Sequence, residues 1–170
     1  MPLDDQPPLP AALWEPSPPW ILRLEAARAD AYRAARRWSG ATCRVLRGWK
    51  MRTEQGAFDE LAAALQFPDY FGENWDAVYD CLTDLSWLPG RAYVLVIAAA
   101  DELLIEEPAE RLAPFLNLLG RGGEQWARPV EAGEWWDRPA IGFHVVLHTE
   151  PAATDRLRRR LPGQLPPEVS

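Results

Sequence analysis

The feature that most constrains the fold is an uninterrupted apolar run at residues 93–98, YVLVIA, rich in β-favouring residues. Runs of this kind are typical of strands covered on both faces, which favours a parallel sheet with helices packed around it. A second strand is predicted at residues 143–147, and a third at residues 42–46, where polar and apolar side chains alternate. That alternation indicates a half-buried or edge strand.

Helical periodicity fills the intervals between these strands. Apolar residues recur at steps of three and four over residues 54–66, which end before Pro68, and over residues 74–85. A third helix is predicted over residues 112–126, interrupted by glycines at positions 120, 122 and 123. The order strand, helix, helix, strand, helix, strand predicts an α/β domain with parallel strands and right-handed crossovers.

The two ends of the chain differ from this central pattern. Residues 1–19 hold seven of the 17 prolines, so we expect them to be extended or disordered. Residues 20–38 carry apolar side chains at helical spacing and predict an accessory helix that stops at residues 39–40. An Arg-rich turn is expected at residues 156–160. We therefore divide the chain into an N-terminal extension (1–40), an α/β domain (41–149) and a tail (150–170).

Charge is distributed unevenly. The chain carries a formal net charge of −7, but residues 54–110 contain thirteen acidic side chains and a single basic one, Arg91. Such a block projects a negative field over part of the surface, which indicates either solubility or a surface shaped for a basic partner. A general nucleic-acid binder needs the opposite sign, so direct binding of RNA or DNA is not expected.

Composition also bears on the compartment. The first residues lack the positive n-region of a secretory signal, and no run of 18 apolar residues could span a membrane. Cys43 and Cys81 are better explained as reduced thiols than as a disulfide framework. We therefore expect a cytoplasmic protein with no membrane contact, and 17 Arg against one Lys indicates a GC-rich bacterial source.

The sequence contains no catalytic, cofactor or metal motif that we recognise. It has neither a G-x-G-x-x-G run nor a P-loop, and no Cys/His cluster has zinc spacing. His144 and His148 are four residues apart on a predicted strand, roughly 13 Å along one face, which is too far for one metal ion. Cys81 falls on the apolar side of its helix, which favours a packed thiol over a nucleophile. Nothing in these motifs points to an enzyme, and we expect no cofactor and no metal.

The most informative segment is residues 68–85, PDYFGENWDAVYDCLTDL. Asn74 is a good N-cap, which puts Asp76 in the first helical turn, where the helix dipole favours an anion. Four side chains share one face at i, i+3, i+4 and i+7: Asp76, Tyr79, Asp80 and Thr83. Asp80 and Asp84 lie toward the end that the dipole disfavours, and no Lys or Arg at helical spacing offsets their repulsion.

The residues alone leave several interpretations of this acidic helix open. It is a solvated face, a metal site built from Asp76, Asp80 and Asp84, or a binding surface. The binding surface is considered because charge repulsion that no nearby cation offsets often marks a functional site. The metal site is weak, since carboxylates on successive turns of one helix rarely enclose a hard cation without other ligands. An acid–base pair of Asp76 and Asp80 is also poor, because catalytic carboxylates normally flank a substrate from two sides.

Residues 70–83, YFGENWDAVYDCLT, resemble the signature of the barstar family, whose pattern reads Y-Y-G-E-N-x-D-A-hydrophobic-aromatic-D-C-L-T. These are small intracellular proteins that inhibit barnase-like ribonucleases. The resemblance covers roughly residues 43–104 and, by pattern, residues 143–147. It implies a three-stranded parallel sheet flanked by helices, to which this chain adds an N-terminal helix, and an inhibitor rather than an enzyme.

The resemblance also implies a partner-binding surface. Its members are Tyr70, Phe71, Gly72, Asn74, Trp75, Asp76, Tyr79, Asp80 and Thr83. Asp80 matches the carboxylate that enters the nuclease active site, where a substrate phosphate would lie, and Asp76 and Thr83 match supporting contacts. A ribonuclease must hold cations to bind phosphate, so an acidic helix face imitates the polyanion and blocks the cleft without being cut.

Departures from the family pattern bear on the identity of the partner. Phe71 lacks a hydroxyl, Tyr79 stands where a Trp is familiar, and Trp75 replaces an aliphatic residue. A second family acid, on the helix after the central strand, cannot be placed within residues 118–126. The predicted partner is a barnase-like ribonuclease. The alternative is that this chain is an adaptor that binds another basic protein and inhibits no nuclease.

The role of the N-terminal extension allows two hypotheses. The basic residues 23–37 could fold across the acidic helix and regulate it from within. The simpler hypothesis is that their apolar stripe extends the core or forms a dimer contact through Ile21, Leu24 and Trp38, because apolar residues at helical spacing usually mean packing.

Overall fold

The computed structural model describes residues 9–38, 40–161 and 163–170. Its centre is a parallel sheet of four strands in the order β1-β4-β3-β2. The strands are β1 (Ile21–Glu25), β2 (Thr42–Arg47), β3 (Ala92–Ala98) and β4 (Gly142–Thr149). The predicted parallel sheet is confirmed, with β2 at an edge and β3 buried throughout, but the prediction of three strands is wrong because the sheet has four.

The fourth strand comes from residues that the sequence pattern predicted as helical. β1 pairs with β4 over its whole length, from Ile21 opposite Val145 to Glu25 opposite Thr149. Spacings of three and four over so few residues do not separate helix from strand, and the open edge of β4 supplies backbone partners that decide the outcome. The outer side of β1 is in turn covered by the C-terminal residues, since the Arg23 N–H donates to the Pro167 carbonyl at 2.8 Å.

Helices cover both faces of the sheet. They are α1 (Ala11–Trp14), α2 (Arg28–Arg37), α3 (Glu54–Leu65), α4 (Trp75–Asp84), α5 (Leu112–Trp126) and α6 (Thr154–Arg160). α1 and α2 pack on the face that presents Val94 and Val96, whereas α3, α4 and α5 pack on the face that presents Leu95 and Ile97. The basic α2 therefore lies across the sheet from α4 and does not cover it, so the extension adds to the core.

α5 is continuous, which corrects the prediction of a helix interrupted by glycines. The glycines mark close contacts instead: a Cβ on Gly123 would lie 2.7 Å from the Trp20 ring and 2.9 Å from the Phe143 carbonyl oxygen. Burial of the Trp20 ring against this helix outweighs the lower helix propensity of glycine. In sequence, such contacts cannot be distinguished from breaks.

The terminal segments are more ordered than predicted where the structure describes them. Residues 11–14 form α1 and bury Leu13 completely, although residues 1–8 and Ser39, where the accessory helix was predicted to stop, lie outside the described residues. The predicted Arg-rich turn is the helix α6. Its Arg156 pairs with the buried carboxylate of Asp101, and Arg160 donates to the Asp101 carbonyl at 2.7 Å, so the tail is tied to the loop after β3.

Two buried histidines fasten the N-terminal segment to β4. His148 accepts a hydrogen bond from the Ala99 N–H at Nδ1 and donates from Nε2 to the Ala26 carbonyl at 3.0 Å. His144 Nε2 lies 3.1 Å from the Ser17 carbonyl oxygen. Burial lowers the pKa of both imidazoles, although these carbonyl contacts work in the opposite direction. Within the described residues, no helix is both long and apolar enough to cross a bilayer.

Candidate functional site

The acidic helix begins at a turn that the chain holds in place itself. Asn74 caps α4 as predicted: its Oδ1 accepts from the Ala77 N–H at 2.9 Å, and its Nδ2 donates to the Gly72 carbonyl at 3.1 Å. The neighbouring Glu73 adopts a left-handed backbone (φ 47°) and accepts from the Gln55 side chain of α3 at 2.8 Å. The turn therefore has a defined shape in the free protein.

An aromatic cluster supports this turn from below. Trp75 packs against Phe58 of α3 and Phe115 of α5, with ring centroids 4.7 and 5.2 Å apart. Phe71 packs against Phe58 in the same cluster. Both Phe71 and Trp75 are half-buried, whereas Tyr70 is 74% exposed and extends from the turn into solvent. Of these aromatics, Tyr70 is thus the freest to meet another molecule.

The inward side of α4 anchors the helix to the core. Val78, Cys81 and Leu82 are buried, as the helical pattern predicted. Burial raises the pKa of the Cys81 thiol, and the neighbouring carboxylates of Asp80 and Asp84 raise it further, so this cysteine is a packed thiol and not an activated one.

The outward side carries an acidic stripe, Asp76, Asp80 and Asp84, and all three residues are exposed. Within residues 9–38, 40–161 and 163–170, none of the three carboxylates forms an ion pair. Asp84 accepts a hydrogen bond from the Ser86 N–H at 3.3 Å, so the stripe consists of three exposed carboxylates on one helix, without ion pairs in the described ranges.

Other acidic residues within 54–110 form ion pairs with arginines. Arg47 forms a two-pronged pair with the buried Glu60 at 2.8 Å, and Arg52 pairs with Glu102 and Glu106. These arginines lie outside residues 54–110, which is why the local count of charges did not reveal them. Further acids of residues 54–110 also form no ion pair among the described residues, so what distinguishes α4 is that three such acids lie on successive turns of one helix face.

Thr83 already has a partner within the chain. Its hydroxyl donates to the Tyr79 carbonyl at 2.9 Å, which is a common bond for a threonine one turn along a helix. Thr83 is only half-exposed, at the end of the face formed by Asp76, Tyr79, Asp80 and Thr83, which we call the α4 face. Its hydroxyl oxygen remains able to accept a further hydrogen bond.

The structure adds a residue that sequence reasoning missed. Arg121 of α5 stacks on Tyr79, with its guanidinium carbon 4.6 Å from the ring centroid. The cation that borders the α4 face therefore comes from a different helix, and only the packing of α5 against α4 brings it there. Local spacing on α4 contains no signal for it.

A cleft opens beside Asp76, between α4, α5 and the segment before α5. It has a volume of about 410 Å³ and an apolar floor that includes Leu104, Phe115 and Leu118. Charged side chains stand around it: Glu54, Asp76, Glu107, Arg111 and Arg121. Among the described residues, no three His, Cys, Asp or Glu side chains are grouped so that they could hold a metal ion. The cleft therefore combines an apolar lining with side chains of both charges.

A second exposed feature lies in the loop between α5 and β4. Trp135 and Trp136 are 89% and 51% exposed and stack edge to face. Desolvation acts to raise the pKa of Asp137, but backbone N–H groups, among them those of Ala132 and Gly133 at 2.9 Å, outweigh it and hold that pKa low. The loop is thus shaped by the Asp137 carboxylate, and its two tryptophans are not part of the core.

The chain is similar to a known protein family and to a curated protein. The family described as "Barstar (barnase inhibitor)" matches residues 41–148, which is more than half of the chain. A protein of Bacillus subtilis (strain 168) named "Putative ribonuclease inhibitor YrdF" is 55% identical over 31 residues, 18% of this chain and 34% of that protein. The chain thus matches about a third of the length of this curated relative.

Proposed function

Because the chain belongs to the barstar family, we propose that it binds and inhibits a ribonuclease through the α4 face. The family is described as a barnase inhibitor family, and the name of the relative from Bacillus subtilis includes the words ribonuclease inhibitor. The match to that relative is short, so the particular ribonuclease is part of the proposal.

The observation that carries the proposal is the state of Asp76 and Asp80. Both are exposed and free of ion pairs among the described residues, while Glu60, Asp101, Glu102 and Glu106 are paired. Carboxylates one turn apart repel each other, and this cost is relieved when a cationic surface arrives. Charge-assisted hydrogen bonds from Arg or Lys of the partner then replace water on the carboxylates.

A ribonuclease suits the acidic helix because its own substrate, RNA, is also negatively charged. A ribonuclease binds a polyanion, so its cleft presents Arg, Lys and His side chains, and an acidic helix that enters the cleft competes with RNA for them. In this proposal Asp80 occupies the place of a substrate phosphate, with Asp76 beside it and Thr83 offering an acceptor at the far end. The helix contains no phosphodiester bond, so the nuclease cannot cut it.

The remaining members of the predicted surface divide by their environment. Tyr70 is exposed and would cover the edge of the contact, excluding water from the charged pairs. Phe71, Gly72, Asn74 and Trp75 shape the turn through the contacts described above, and would act mainly by positioning Tyr70 and Asp76. Tyr79 lies on the same face beside these carboxylates, and its ring packs under Arg121.

The proposal is tested by retention of catalytically inactive barnase on the immobilised protein. We expect the wild type to retain the nuclease and an Asp76→Ala, Asp80→Ala variant to lose it. Glu110→Ala is the matched control, because Glu110 is an exposed acid of the same block on another element. Equal retention by all three proteins would overturn the proposed face. Loss of barnase but retention of a different basic protein through Asp80 would favour the adaptor function instead.

A further inference from the structure

The α4 face is not uniformly acidic, because Arg121 of α5 borders it and stacks on Tyr79. The guanidinium lies 4.6 Å from the centroid of the Tyr79 ring, and Tyr79 lies between Asp76 and Asp80 in the sequence of the face. Arg121 is exposed, and it lines the cleft of Asp76 on one side and a smaller groove with Glu124 and Arg128 on the other. A visitor to the carboxylates therefore meets this cation as well.

Arg121 is held in a way that keeps its charge available. In the part of the chain that the structure describes, its guanidinium forms no ion pair with a carboxylate and no side-chain hydrogen bond, and its contact is with an aromatic ring. A guanidinium stacked on a ring keeps its N–H donors directed outward in the plane of the group. If the role of Arg121 were only to neutralise the stripe, pairing with Asp76 or Asp80 would serve better than stacking on Tyr79.

A fixed cation in this position discriminates among basic partners. An RNA-binding cleft holds cations for more than one phosphate, so its positive surface extends past the centre that Asp80 would fill. Where cations of the nuclease lie opposite Tyr79, they face the positive charge of Arg121. Like charges that are brought together across a contact weaken binding strongly. Specificity often rests on such a repulsive element as much as on attraction.

We propose that Arg121 makes this surface bipolar and selects its partner: a basic protein that places an acidic or uncharged hydrogen-bond acceptor opposite Tyr79. The inference rests on the proposed function, since it assumes that a basic protein docks on α4. It also specifies which basic proteins bind only weakly. A nuclease with an unbroken positive cleft is bound weakly by the wild-type chain and more tightly once the charge is removed.

The test is a titration of catalytically inactive barnase against the wild type, Arg121→Gln and Arg121→Glu. We expect about tenfold tighter binding for Arg121→Gln and roughly hundredfold for Arg121→Glu. Arg159→Glu on α6 is the matched control, because Arg159 is also exposed and the change in net charge is the same. Its affinity should stay within about threefold of the wild type, and thermal melting confirms that each variant is folded.

The possible outcomes separate the inference from the function on which it rests. If the wild type binds barnase in an Asp80-dependent manner and both Arg121 variants bind it with the same affinity as the wild type, Arg121 does not discriminate among basic partners, so the inference is wrong and the proposed function stands. If both arginine variants gain affinity only as much as Arg159→Glu does, the effect is one of net charge and the inference is again wrong. If neither the wild type nor Arg121→Glu binds, the proposed function fails and the inference fails with it.

Discussion

The indole Nε1 of Trp126 donates a hydrogen bond to the carbonyl oxygen of Leu82 at 2.8 Å, and this bond joins the last turns of α5 and α4. The Leu82 carbonyl is one of those at the end of α4 that have no partner within the helix. Trp126 is buried, so water does not replace it there. The helix that carries the acidic stripe is thereby fixed to the helix that carries Arg121.

We expect Trp126→Phe to lower the free energy of unfolding by about 1–3 kcal/mol, because it leaves a buried carbonyl without a donor. Urea unfolding measures this loss. Trp136→Phe is the matched control: the chemical change is the same, but Trp136 is half exposed. The control should change stability by less than about 0.5 kcal/mol, and equal effects of the two substitutions would contradict the structural role of this bond.

Two glycines of α5 give a paired test of how the N-terminal segment packs. Gly123→Ala should destabilise the protein by about 1–3 kcal/mol, because its Cβ would meet the Trp20 ring at 2.7 Å. Gly120→Ala should stabilise it by roughly 0.5–1 kcal/mol, since nothing lies within 4 Å and alanine favours the helix. Thermal or urea unfolding gives both values. A stabilising Gly123→Ala would show that Trp20 does not lie against α5.

The buried histidines predict that stability falls in mild acid. Burial depresses the pKa of His144 and His148 below the ordinary range of an imidazole, so as the pH falls the unfolded chain binds protons before the folded protein does. The stabilising contribution is complete above the pKa of the unfolded chain and is lost as the pH falls through the folded values. Each histidine then contributes a slope of up to about 1.4 kcal/mol per pH unit.

Urea unfolding at pH 7.5, 6.5 and 5.5 measures that slope. His148→Gln should reduce it, because a glutamine amide offers both a donor and an acceptor to Ala26 and Ala99 without titrating. An unchanged slope in His148→Gln would mean that other groups are responsible for the loss of stability in this range.

The acidic stripe predicts fast, salt-sensitive association with a basic partner. Raising the ionic strength from 0.01 to 0.1 M shortens the screening length from about 30 to about 10 Å, so the association rate constant should fall steeply. Stopped-flow mixing with a barnase-type ribonuclease measures it. Asp76→Asn should flatten the salt dependence more than Glu110→Gln does. An association rate constant that does not change with ionic strength would contradict electrostatic steering by α4.

Much of α4 is predictable because its signals are local. Asn74 as the cap, the buried Val78 and Leu82, and the exposed Asp76 and Asp80 follow from spacing on one helix. The same holds for β3, whose apolar run needs no knowledge of its neighbours.

The features that sequence reasoning missed depend on distant partners. Residues 21–25 become a strand because the edge of β4 is open, and Gly123 lies inside a helix because Trp20 packs there. Arg121 reaches Tyr79 only after α5 has docked on α4. In each case a contact between residues far apart in sequence decides the result, and a local pattern contains no trace of it.

The most direct test of the account is the cleavage of RNA by a barnase-type ribonuclease in the presence of the full chain. We expect the wild type and Glu110→Ala to suppress cleavage, and Asp80→Ala to require at least about a hundredfold higher concentration for the same suppression, as for a carboxylate at the centre of an interface. Equal suppression by Asp80→Ala and the wild type, or no suppression by the wild type at any concentration, would contradict it.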